Sequence, residues 1–272
     1  MRGRVVVLGE AWRAIHERQP YSDAVGSLLG EMTATVALLG QGLKSGGLIL
    51  QLNGDGAVRS AMVECREGRL LRGLARPPAR NPASGIGLEL AGEGRLAITL
   101  QSPHGAAYQG LVAIAHRELA RCVEAYFSTS EQLPTRLWLA ASSTRASGVL
   151  LQRLPAPASG RGEDLEDVES TWRTIAARFD TLPSQDLLAN DVRGLLRRLA
   201  GTEALRLAAS TPIAFSCSCS RERSSNALKL MGRTEVLKVV EEDHEVLVTC
   251  EFCGTTYRYD AIDAELLFAP VG

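Results

Sequence analysis

The stretch "FSCSCSRER", Phe215–Arg223, answered further on by "TCEFCG", Thr249–Gly254, holds four of the chain's six cysteines. Cys217 and Cys219 flank a single residue, thirty residues follow (220–249), and Cys250 and Cys253 flank two. In an extended segment residues i and i+2 project to one side, so Cys217 and Cys219 present two sulfurs together. Cys250 and Cys253 form a knuckle-type pair, with Gly254 placed to take a positive φ. Four thiolates at tetrahedral separation make a closed zinc site with no position left for water or substrate. The zinc-deaminase signature, a His-X-Glu together with a Pro-Cys-X-X-Cys, is absent from the sequence, which argues against catalytic zinc. Three readings stay open: a structural clip for a C-terminal piece of under 60 residues, a redox-active zinc centre, or disulfides. His244, in "EEDHEV", could replace a cysteine ligand, but it reads better as a solvated residue ahead of a strand.

The rest of the chain narrows the setting. With 272 residues, 45% hydrophobic and 22% charged, it can bury a core without disulfides, as one large domain or two smaller ones. Thirty basic residues against 31 acidic ones leave a formal charge of -1, with no footprint of a nucleic-acid or membrane-surface protein. In "MRGRVVVLGEAW" the apolar run Val5–Leu8 stops at Gly9 and Glu10, too short for a secretory segment, and no run reaches the length of a membrane span. The expected address is cytoplasmic, where thiols stay reduced and paired cysteines point to metal or redox chemistry.

The periodicities predict an α+β chain. "YSDAVGSLLGEMTATVALLGQGLK" carries Val25, Leu28, Leu29, Met32, Val36 and Leu39 at helical spacing behind a Ser22 N-cap. "GLILQLNGDGAVRSAMVE" and "GRLLRGLARP" read as strands broken by hairpin punctuation at Asn53–Gly56. "GRLAITLQS", "AYQGLVAIA", "TRLWLAAS" and "SGVLLQRLP" read as further strands, and "RELARCVEAYF" as a helix with Leu119, Cys122, Val123, Tyr126 and Phe127 on one face. The expected N-terminal part, residues 1–154, is therefore a mainly antiparallel sheet with packed helices. "PAPASGRGEDLEDVES", Pro155–Ser170, keeps no apolar period and reads as an acidic linker. Two amphipathic helical stretches follow. One carries Trp172, Ile175, Ala176 and Phe179; the other, after Pro183, carries Leu188, Val192, Leu195, Leu196 and Leu199, with Gly194 inside it at a cost of about 1 kcal/mol. A helical linker over residues 155–214 and a small zinc-binding α+β domain over 215–272 complete the expected organisation.

Chemistry links metal to stability. Structural zinc contributes on the order of 10–16 kcal/mol in small zinc domains, comparable to the whole stability of a globular domain. Thiolate is also the nucleophilic form of cysteine, open to peroxide or hypochlorous acid that can reach it. A disulfide needs sulfurs about 2.05 Å apart, which four-coordinate zinc forbids, so oxidation and zinc binding exclude one another.

The sequence resembles the heat shock protein 33 family of redox-regulated chaperones. The likeness lies in Cys217-Ser-Cys219-Ser-Arg-Glu-Arg and Cys250-Glu-Phe-Cys253-Gly, and also in "LQLNGDG", "RGLAR", "YQG", "YFSTSEQLPTR" and "GVLLQ", from near residue 50 to about residue 254. It implies a substrate-binding N-terminal domain, a helical linker and a C-terminal redox-switch domain that holds one Zn2+ per chain in the reduced, inactive form. It implies Cys217, Cys219, Cys250 and Cys253 as the ligands, and on oxidation disulfides joining Cys217 with Cys219 and Cys250 with Cys253. Zinc then leaves, the zinc domain and linker unfold, and exposed apolar surface holds unfolding client proteins without ATP, in a homodimer. Relatives carry further residues before the segment matching "MRGRVVVLGE", so a first strand or arm is expected to be missing at the sheet edge and the dimer contact.

The residues agree with a holdase that is not an enzyme. No Gly-Lys dipeptide exists for a Walker A motif, nor any Gly-X-Gly-X-X-Gly or Gly-X-Ser-X-Gly. A zinc module that binds nucleic acid or a protein partner is the alternative, but Arg221, Arg223, Lys229, Arg233 and Lys238 are offset by Glu222, Glu235, Glu241, Glu242, Asp243, Glu245 and Glu251. A thioredoxin-like Cys250-X-X-Cys253 would want a helix start in a βαβ setting, whereas here it follows "EVLVT". Cys65 and Cys122 read as buried structural thiols, "NGDG" as a turn, "EQLPTR" as a helix-to-strand connection without a client-binding assignment, and Glu163, Asp164, Glu166 and Asp167 as a solvated run.

Overall fold

The computed structural model describes residues 1–43, 45–76, 85–103, 105–155, 162–189, 191–201 and 204–269, apart from the side chains of 162–167 and 198–199. The chain divides into two compact units, Met1–Phe215 and Ser216–Gly272. The first runs β1 (Arg2–Leu8), α1 (Glu10–His16), α2 (Asp23–Gly40), β2 (Gly47–Asn53), β3 (Ser60–Arg66), β4 (Leu70–Arg76), a 3-10 turn (Gly87–Ala91), β5 (Arg95–Gln101), β6 (Tyr108–Val112), α3 (Leu119–Thr129), β7 (Thr135–Ala141), β8 (Ala146–Gln152), α4 (Gly162–Asp180), α5 (Ser184–Leu187), α6 (Val192–Ala200) and β9 (Ala214–Phe215). The second holds α7 (Arg221–Met231), α8 (Arg233–Asp243), β10 (Val246–Thr249), β11 (Thr256–Tyr259) and α9 (Ala261–Leu267). The expected α+β class holds.

Helix α2 organises the first unit because it has almost no polar face. Val25, Leu28, Leu29, Met32, Val36 and Leu38 are buried, as are Thr33 and Thr35. The threonines return their hydroxyls to the helix, donating to Leu29 O (2.7 Å) and Glu31 O (2.8 Å), so burial leaves neither unpaired. Ser22 caps the start, accepting from Val25 N. A helix apolar all round must be covered all round: α2 packs against β2, β3 and β4 on one side and β1, β7 and β8 on the other. The single expected sheet is thus two, a six-stranded one ordered β6-β5-β2-β3-β4-β9 and a three-stranded one ordered β1-β8-β7. All pairs are antiparallel except β4 with β9, where Leu70 and Leu71 sit opposite Ala214 and Phe215. At Gly30 a Cβ would fall 2.4 Å from that of Ala141, so glycine is what lets α2 approach the smaller sheet.

Two elements at the N-terminus escaped the periodicity reading. "RGRVVVL" is β1, an edge strand paired along its length with β8. The next turn, α1, buries Ala11, Trp12 and Ile15, and Trp12 Nε1 donates to Ser142 O at 2.7 Å.

The acidic stretch read as linker is helical from Gly162 onward, within α4. Negative charge is favoured at helix N-termini, so an acidic run fits a helix start as well as a loop. Beyond Pro183 the expected single helix is two, α5 and α6, with Leu188 outside both; Leu199's side chain lies outside the described residues. Gly194 serves the N-cap of α6: its amide donates to Asp191 Oδ1 at 2.7 Å, and a Cβ would meet that carboxylate at 1.9 Å. Its helix-propensity cost is therefore offset by the cap it permits.

These helices lie on the outer face of the three-stranded sheet. Ile175, Phe179, Leu187 and Leu195 cluster with Ala140, Val149 and Leu151, with Val5, Trp138 and Trp172 at the margin. Trp138 stacks on Phe179 with centroids 4.5 Å apart. Polar contacts frame the cluster. Asp180 Oδ1 accepts from Arg136 (2.5 Å) and Trp138 Nε1 (3.0 Å), Arg153 pairs with Glu169, and Arg145 donates to Leu188 O (2.9 Å).

Two outcomes are expected. Asp180→Ala should weaken α4 docking by about 1 kcal/mol, the modest value of a half-exposed pair, and amide exchange across α4 should rise roughly five-fold while that of α2 stays unchanged. Glu31 on α2 is half-buried, and burial, then the charge of Glu118, pushes its carboxyl up to about 7. From about pH 4.5 to about pH 7 the unfolded chain releases that proton first, so rising pH lowers stability through this window. Glu31→Gln should remove that part of the slope in urea unfolding followed against pH.

Candidate metal centre

In the second unit, the extended residues after β9 carry Cys217 and Cys219 to Ser220, which caps α7 by accepting from Arg223 N at 3.2 Å. The start of α7 is held by Arg221. Its guanidinium lies 4.4 Å from the Tyr259 ring centroid, donates to Arg258 O (2.8 Å) and pairs with Asp263 (2.7 Å). Tyr259, fully buried, donates its hydroxyl to Arg221 O at 2.9 Å. Cys250 and Cys253 occupy the turn between the antiparallel strands β10 and β11. Cys250 N donates to Thr255 O (2.9 Å) and Gly254 N to Cys250 O (2.7 Å). Gly254 has φ +73° with open space around its Cβ position, so the backbone conformation, not crowding, calls for glycine there.

These two pieces bring the four sulfurs together, all within 4.8 Å of one another. Cys217 Sγ lies 3.6 Å from Cys250 Sγ, and Cys219 Sγ 3.3 Å from Cys253 Sγ. A tetrahedron of sulfurs about 2.3 Å from a central zinc has edges of about 3.8 Å. Both separations fall a few tenths of an ångström short of that value and well beyond a disulfide bond length, and all six cysteines are free. The residues present therefore fit a four-thiolate metal site. All four are partly exposed, within reach of small solutes.

The sulfurs differ electrostatically. Burial pushes the thiols of Cys217 and Cys250 up. For Cys219 the hydrogen bond from Tyr257 pulls down, but burial and the sulfurs of Cys253 and Cys217 leave the thiol raised. Burial also pushes on Cys253, but the hydroxyl and amide of Thr255 with the sulfurs of Cys219 and Cys250 outweigh it and bring the thiol to about 6. Two hydroxyls thus serve the cluster: Tyr257 donates to Cys219 Sγ at 3.2 Å, and Thr255 Oγ1 lies 3.2 Å from Cys253 Sγ. Sequence reading missed both. Hydroxyl residues two and four places beyond a Cys-X-X-Cys are the only signal, and strand pairing decides where they point.

Other residues fall outside the site. His244 is exposed and ends α8 in the left-handed conformation, φ +69°, just ahead of β10. Cys65 is fully buried, its thiol pushed up to about 12 by burial, then by Glu64. Cys122 is buried and donates to His116 O at 3.2 Å. Because Cys250 and Cys253 lie in a hairpin turn rather than at a helix start, a thioredoxin-like pair has no structural basis. No helix among the described residues is long and apolar enough to cross a membrane.

Fold and cluster together define an α+β chain with a separate C-terminal unit built around four thiols able to hold a metal ion. A family model described as Hsp33 protein matches residues 1–260, and the chain belongs to the Hsp33 family. Proteins named 33 kDa chaperonin from Pseudomonas paraeruginosa and Azotobacter vinelandii are each 43% identical to it, over all of this chain and 92% of theirs. The fold is similar to the crystal structure of a 33 kDa chaperonin, heat shock protein 33 homolog, from Thermotoga maritima, with TM-score 0.83 and 22% identity over 97% of this chain and 93% of that one.

Replacing Cys250 by Ser should abolish stoichiometric zinc binding and melt α7–α9 while leaving the α2 core of the first unit folded. Amide exchange of the zinc-treated variant, read separately for α2 and for α7–α9, checks this.

Proposed function

We propose that the chain is a redox-regulated holdase chaperone, held inactive while Cys217, Cys219, Cys250 and Cys253 bind one Zn2+ as thiolates. The observation that carries this reading is the convergence of four partly exposed sulfurs within 4.8 Å in a unit whose own apolar cluster is small. Leu228, Val236, Val240, Val246, Tyr259 and Ala264 are its buried core, and domains of this size commonly need a metal or disulfides to stay folded. When bound, the ion would supply cross-linking between the Cys217–Cys219 segment and the β10–β11 turn, and would keep the thiols deprotonated.

Oxidation removes the ligand set. Two thiols and one hydrogen peroxide give one disulfide and two waters, the sulfurs losing two electrons and the peroxide O–O bond breaking. The proposed pairs are Cys217 with Cys219 and Cys250 with Cys253. Each pair must close to about 2.05 Å, so the sulfurs leave their tetrahedral positions and the small core loses its cross-link. The chain from α6 to β9 is continuous with this unit, and β9 is held by only two strand positions. Once α4–α6 loosen, Val149, Leu151, Ala140 and Trp138 on the sheet and Ile175, Phe179 and Leu195 on the helices become free to hold unfolding client proteins, without ATP or enzymatic turnover. Residues 1–154 would then be the substrate-binding domain, 155–214 the linker and 215–272 the switch, in a cytoplasmic protein that is a homodimer when oxidised.

Peroxide treatment at elevated temperature should release one zinc per chain, read with a metallochromic dye. Light scattering of a heat-unfolding client should fall in the same samples, and both changes should reverse with reductant and zinc. Zinc that stays bound, or leaves without any gain in client protection, would reduce the cluster to a structural clip.

A further inference from the structure

We propose that Tyr257 is a positioning residue for the cluster: its hydroxyl holds Cys219 Sγ in the ligand geometry and restrains its attack on oxidants. This rests on the reading of the four cysteines as zinc ligands. Tyr257 sits on β11 opposite Val248 of β10, and its ring packs against the apolar cluster of the second unit. Residues i and i+2 of a strand share a face, so Tyr257 projects beside the buried Tyr259, whose ring carries Arg221 and whose hydroxyl donates to Arg221 O. One strand face thereby controls both ends of the Cys219–Arg221 segment. Tyr259 fixes the first turn of α7, and Tyr257 donates to Cys219 Sγ at 3.2 Å, within the range of a sulfur hydrogen bond.

The electronic consequence follows from the direction of that bond. A donor pointed at a sulfur draws on its electron density, which lowers the energy of the lone pair that would attack. In the restrained step the Cys219 sulfur lone pair displaces hydroxide from hydrogen peroxide, giving a sulfenic acid and breaking the O–O bond. A second thiolate then displaces hydroxide from that sulfenic acid to form the disulfide. Because the ring is anchored in the core and only the hydroxyl reaches the sulfur, packing and hydrogen bond can be separated by one oxygen atom.

Tyr257→Phe in the full chain makes that separation. Zinc affinity by chelator competition should fall by about 10-fold or more, the usual effect of losing a group that orients a metal ligand. Alkylation of Cys219 and its oxidation by peroxide, followed by mass spectrometry on zinc-loaded protein, should accelerate several-fold. Amide protection of β10 and β11 in the zinc-loaded variant should match wild type. Unchanged affinity and unchanged Cys219 kinetics would overturn the proposal, and so would lost strand protection, because the hydroxyl would then serve packing alone. If wild-type chain itself binds no zinc, the ligand reading falls first; if wild type binds and the Phe variant is indistinguishable from it, only the role of Tyr257 falls.

Discussion

Burial of α2 on every face is the constraint from which the first unit follows. A helix with Leu29, Met32, Val36 and Leu38 fully buried cannot lie on the surface of a single sheet. It therefore separates two sheets, and its small residues set how closely they approach. Gly30 admits Ala141 and Trp12, and Gly40 admits Cys65. With its inner face committed to α2, the three-stranded sheet has an outer face to cover, and α4–α6 cover it through Trp138, Val149 and Leu151. The arrangement is a layered one in which each apolar surface finds a partner.

The two units rely on different forces. The first buries a long list of large side chains, while the second has a short core beside four clustered sulfurs and an arginine that ties α7 to β11 and α9. The two cysteines of the first unit, Cys65 and Cys122, are buried within its core, and the Cys65 thiol is pushed up by burial, then by Glu64, whereas the four cysteines of the second unit are partly exposed. The partly exposed thiols are all in the unit with the smaller core. The helices that cover the smaller sheet are framed by Asp180 and Glu169 pairs of modest strength.

Much of this was legible along the chain because it depends on local spacing. Ser22 and the 3.6-residue period announced α2, Asn53–Gly56 announced the β2–β3 turn, and Cys217, Cys219, Cys250 and Cys253 announced the four-thiol cluster together with the family. The misreadings share a cause: the apolar run of β1 is short and follows two arginines, α1 is two turns long, and the start of α4 is acidic without an apolar stripe. Such segments are decided by what they pack against, not by their own pattern.

By itself the sequence determined the class of fold, the four sulfurs and their grouping into a Cys-X-Cys and a Cys-X-X-Cys, because ligand spacing and hydrophobic period are properties of neighbouring residues. Only the tertiary structure decided that one sheet is two, that α4–α6 lie on the smaller of them, and that Tyr257 and Thr255 turn their hydroxyls toward Cys219 and Cys253. Those outcomes join residues far apart in sequence or hang on strand register, and a shift of one residue in β11 would carry Tyr257 to the opposite face.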